Sequence, residues 1–152
     1  MEKVAPFKAG EDQIKEGSSI IFVKDRELAA ALIAVGIPPR KDPGYTHVKR
    51  ADGSEQWTFH FYHATEDGQI TTYECIEGWK GDIAWIQANP MHPFAFAMAA
   101  IKNLNKLRDL AKQDIPFVAF RVAGSEGGTA TLLVKEGGKK HQAAIKKGLK
   151  QV

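Results

Sequence analysis

Short apolar runs of strand length alternate along this chain with two stretches of helical period. Residues 19–23, "SIIFV", form a run that predicts a strand. In "RELAAALIAV", residues 26–35, Leu28, Leu32 and Val35 recur at i, i+4 and i+7 and so share one helical face. Asp25 is placed to cap that helix, Gly36 to end it, and Pro38 with Pro39 to prevent its resumption. The longer helix is "PFAFAMAAIKNLNKLRDLAK", opened by Pro93, where Phe94, Ala97, Met98, Ile101, Leu104, Leu107 and Ala111 make an apolar stripe. Asn103, Lys102, Lys106 and Asp109 fall away from it.

Between the helices the period shortens. "THVKR" and "EQWTFHFYHA" predict two strands joined through Asp52, Gly53 and Ser54, and "QITTYECI" predicts a third, reached across Glu66, Asp67 and Gly68. A two-residue turn at Asp67 and Gly68 would fix the register of that last pair, with His60 opposite Cys75 and Tyr62 opposite Tyr73. "EGWKGDIAWIQANP", residues 77–90, reads as a connection punctuated by Gly78 and Gly81 and carrying Trp79 and Trp85. After the long helix, "PFVAFRV" and "TATLLVK" predict a second hairpin across Gly124 to Gly128, and "KKHQAAIKKGLK" a basic helix with a thin apolar stripe of Ala144, Ile145 and Leu149.

Strand, helix, three strands, helix, two strands, helix is not a βαβ array. The expected fold is therefore α+β: a mostly antiparallel sheet of five to six strands with two main helices on one face and a short basic C-terminal helix. Leu28, Leu32, Phe94, Met98 and Ile101 would meet Phe59, Phe61, Phe120 and Leu132 in its core. Residues 1–18 read as an irregular lead-in, 19–136 as one domain, and 137–152 as its basic tail. A chain of 152 residues is long enough for one core without disulfide staples.

Composition alters this picture in one respect. The net charge is +3, yet from Lys135 onward six lysines stand against Glu136, so the preceding residues are slightly acidic and the basicity is terminal. Lys139, Lys140, Lys146 and Lys147 are the candidate ligands of an anion, with Gly137 and Gly138 leading into the helix whose free amides would face it. Tyr62 and Tyr73 are added as ring contacts. The single Cys75 and the absence of a leader-like start point to a reducing cytoplasm, and no apolar run approaches the roughly 18 residues of a membrane span.

The hairpin register raises a chemical alternative. His60 beside Cys75 would resemble a thiolate–imidazolium couple, but amides within a regular ladder are committed to interstrand bonds and leave no oxyanion site. His60, His63, Glu74, Cys75 and His92 are acceptable metal ligands, yet His60 and His63 project to opposite faces, so no set of three converges. "AGSEGGTA" lacks the lysine of a phosphate loop. The sequence thus predicts a non-catalytic binding protein for nucleic acid or a nucleotide, without cofactor or metal. Its alternatives are a protein-binding or homo-oligomeric domain using a Tyr- and His-bearing sheet face, and a Cys/His-dependent enzyme.

Overall fold

A computed structural model describes residues 20–40, 44–125 and 128–152, with side chains 124–129 excepted. The lead-in at residues 1–18 and the centre of the second hairpin turn lie outside the described residues. The chain divides into two compact units, one ending at Glu77 and the other beginning at Gly78.

In the first unit, β1 (Ile21–Val23), β2 (Tyr45–Lys49) and β3 (Glu55–Phe61) form an antiparallel sheet in the order β1-β3-β2. Helix α1 (Arg26–Ala34) packs against β1. Asp25 caps it as its position predicts, Oδ1 accepting from the amides of Glu27 at 2.9 Å and Leu28 at 3.3 Å. Leu28, Ala29, Ala31 and Leu32 are buried with Ile21, Val23 and Phe61.

The predicted third strand is a helix. Residues 69–76 do not pair with β3; from Thr72 the chain enters α2 (Thr72–Ala88), and only the isolated bridge Ala64 to Thr71 precedes it. Thr71 and Glu74 explain why. The Thr71 amide donates to Glu74 Oε1 at 2.8 Å, and the Glu74 amide donates to Thr71 Oγ1 at 3.2 Å, the reciprocal bonds of a capping box. Two amides that a new helix would leave unpaired are thereby satisfied. Around the preceding turn, Asp67 Oδ1 accepts from Gln69 N at 3.1 Å, and Gly68 at φ 70° closes a loop rather than a hairpin.

In the second unit, β4 (Phe117–Ser125) pairs with β5 (Gly128–Lys135) and with β6 (Lys150–Gln151), in the order β5-β4-β6. Helix α3 (Pro93–Gln113) lies on β4 and β5, and α4 (Lys139–Lys146) contacts β5. Phe94, Met98, Phe120, Leu132, Val134 and Ala144 are buried here. Fold class, antiparallel pairing and six strands agree with the expectation. The single sheet carrying both main helices does not, because α1 and α3 serve different three-stranded sheets. Phe59 and Ile101, expected in the core, are half-buried. Among the described residues no helix is long and apolar enough to cross a membrane.

Candidate functional site

Lys139, Lys140 and Lys146 are held on α4 and Lys147 caps its end, whereas Lys150, expected in the same basic helix, lies in β6. Gly137, at φ 76°, turns the chain after β5, and Gly138 occupies the cap position without a side-chain acceptor. Lys139 and Lys140 therefore enter the first helical turn, where their charge opposes the positive end of the helix dipole. Lys139, Lys146, Lys147 and Lys150 are exposed, and no carboxylate of the described residues pairs with any of them.

Lys140 differs from these four. Its ammonium closes on Asp82 Oδ2, while Lys102 Nζ stands 3.3 Å from Oδ1 of the same carboxylate. Lys102 also donates to the Trp79 carbonyl at 3.2 Å and sits 4.7 Å above the Trp79 ring. One half-buried carboxylate thus joins α2, α3 and the start of α4, and it offsets the charge that the first turn of α4 would otherwise carry alone. Burial drives the Asp82 carboxyl upward, but the Lys140 hydrogen bond and the two ammonium charges prevail and hold it below the usual carboxylate range. For Lys102, burial outweighs the pull of Asp82 and lowers its ammonium from the ordinary value.

Asp82 reaches this position through an unusual backbone. Its φ of 52° and ψ of −130° break the helical run of α2 in a region that favours glycine. The turn before it is compressed on Trp85: a Cβ on Gly78 would fall 2.7 Å from the indole ring, and one on Gly81 would fall 2.9 Å from Trp85 Cβ. Gly78 and Gly81 are thus points of close approach within a kinked helix, where the sequence suggests a loose connection.

The remaining candidates are dispersed. His60 is buried on β3, its Nε2 in a hydrogen bond with Thr46 Oγ1 at 2.7 Å and its ring edge-on to Phe22 at 4.7 Å. Cys75 is fully buried on α2, and burial, with a smaller contribution from Glu74, pushes its thiol up to about 12. With residues 69–76 helical, the ladder that would oppose His60 to Cys75 and Tyr62 to Tyr73 does not exist. Tyr62 is buried and its carbonyl accepts from Thr72 Oγ1 at 2.6 Å; Tyr73 is exposed on α2. His92 caps α3, Nδ1 accepting from the Phe94 amide at 3.1 Å. Glu74 is engaged in its capping box, and among the described residues no three His, Cys, Asp or Glu side chains gather as metal ligands would.

Asp82 and Lys102 are absent from the sequence candidates, since a lone acid between glycines and a lysine on the polar side of a stripe carry no motif. Compared with models of protein families, with characterised proteins and with solved structures, the chain shows no significant match.

Proposed function

We propose that this is a small non-catalytic binding protein that engages an anionic ligand, a nucleic acid or a nucleotide, through the lysines of α4. The observation that carries the reading is the exposure of Lys139, Lys146 and Lys147 on a segment, residues 137–152, that contains no acidic residue. Ammonium groups so placed gain by releasing the counterions of a polyanion, and the gain grows with the number of phosphates met. Lys140 contributes from its place against Asp82. A phosphate competing with that carboxylate would gain two lysines and the uncapped amides after Gly138.

The buried, high-pKa thiol of Cys75 supports a non-catalytic role, since the nucleophile is the thiolate and almost none would form near neutrality. A reducing cytoplasm suits a chain with this one thiol. The test is titration of the full chain with a single-stranded oligonucleotide and, separately, with a nucleoside triphosphate. K139Q/K146Q/K147Q is expected to weaken binding by at least about tenfold, each phosphate contact being worth a substantial fraction of that. Unchanged affinity, or no binding of either ligand by the parent chain, refutes the assignment.

A further inference from the structure

Among the described residues the two sheets have four outer strands, and three of these are either very short or interrupted by a side chain. β1 has three residues and β6 two, too short to template another strand. β5 is covered by a side chain: Asn103 Nδ2 donates to the Thr131 carbonyl and the Leu133 amide donates to Asn103 Oδ1, both at 2.8 Å. The fourth edge is β2, and all five of its residues are exposed.

Which backbone groups β2 offers follows from its ladder. The His60 amide donates to the Gly44 carbonyl at 3.0 Å, and the Arg50 amide to the Ser54 carbonyl at 2.7 Å, in the register that pairs Thr46 with Thr58 and Val48 with Gln56. Bonded pairs recur at every second residue, so Gly44, Thr46, Val48 and Arg50 face β3. Tyr45, His47 and Lys49 direct their amides and carbonyls outward, and no backbone bond among the described residues meets them. Their side chains lie on one sheet face with Trp57, which stacks on His47 at 4.1 Å and leans on Tyr45 at 5.2 Å. Trp57, Tyr45 and Val48 are 40, 55 and 51% exposed.

We propose that β2 is a homodimerisation edge, two copies pairing β2 to β2 antiparallel about a two-fold axis at His47 to make one six-stranded sheet. Only outward-facing residues can exchange bonds across such a seam, and this register uses all three of them. Tyr45 meets Lys49 of the partner subunit, His47 meets His47 of the partner subunit, and Thr46 meets Val48 of the partner subunit on the opposite face. Registers centred one residue to either side use two of the three. Across the seam Lys49 faces the Tyr45 ring, a cation–π pair made twice by the two-fold axis, while Glu55 opposite Lys49 on its own β3 offsets its charge, and no two lysines or acids are opposed. His47 has Glu55 Oε2 at 3.7 Å and the Trp57 ring beside it. A second copy is the occupant that satisfies this edge without any further chemistry.

Analytical ultracentrifugation of the full chain over a range of concentrations tests the proposal, and a reversible monomer–dimer equilibrium is expected. H47P removes the central outward amide while sparing every bond to β3, so the dimer should weaken by at least about tenfold; H47A keeps that amide and should remain dimeric. Because H47P could disturb the strand itself, the sign of charge at Tyr45 gives a second reading. Y45E sets a carboxylate against the partner's Lys49 and should dimerise at least about tenfold more tightly than Y45K, which sets an ammonium there. A chain that is monomeric at every concentration, a dimer indifferent to H47P, or equal association of Y45E and Y45K would overturn the assignment.

Discussion

Asn103 performs a task that a half-buried amide is well suited to. With one donor and one acceptor it replaces a missing strand along β5, binding the Thr131 carbonyl and the Leu133 amide as a neighbouring backbone would. N103L retains the bulk and removes both bonds, leaving two partly buried backbone groups to seek water. We predict a loss of about 1–3 kcal/mol in urea denaturation, with an unchanged slope. Cys75 makes the converse prediction. A thiol raised to about 12 by burial should resist an alkylating reagent at neutral pH in the native protein and react fully once it is unfolded. Fast native labelling would revive the enzyme alternative.

At the scale of the element, α2 concentrates what was hidden. The alternation around residues 69–76 suits a strand in isolation, yet Thr71 and Glu74 carry the T-x-x-E spacing of a helix start, visible in the sequence itself. Local capping prevailed over the apparent turn at Asp67 and Gly68. T71A should cost about 1 kcal/mol and shorten the helix at its start, which amide exchange over residues 72–75 would report. Elements marked by strong periodicity and caps, α1 and α3 with β3 to β5, were legible. The kink at Asp82 was not, because the side chains that meet its carboxylate, Lys102 and Lys140, belong to α3 and α4 and leave no local pattern around residue 82. Backbone geometry gives that kink a signature: in an ordinary helix alanine exceeds glycine, but at φ 52° D82G should be more stable than D82A by about 1 kcal/mol. The carboxylate adds a pH dependence of definite sign. Its folded value is lowered, so its contribution is complete above the ordinary carboxyl range and disappears as pH falls through the folded value. Thermal melts of D82N should lack that acid-side decline, apart from what other carboxylates supply.

Across the whole molecule, two units divide the work that one sheet would otherwise do, and the boundary at Glu77 and Gly78 falls inside α2. Hydrophobic period identifies strands and helices without stating which sheet each will join, since every apolar face is satisfied by any other apolar face. Charge is different, because its placement at the end of the chain survives any rearrangement of sheets. The lysines of α4 are exposed as their sequence implies, whereas Lys140 is partnered by an acid that no local pattern announces. The binding account rests on the exposed group. Its most direct measurement is the affinity of the full chain for a single-stranded oligonucleotide across a series of salt concentrations, beside K139Q/K146Q/K147Q. Logarithmic affinity should fall linearly with logarithmic salt, at about 0.7 per phosphate contact, and the variant, lacking three lysines, should lose up to about three of those steps in slope. A parent chain whose affinity ignores salt, or a variant whose slope equals the parent's, would contradict it.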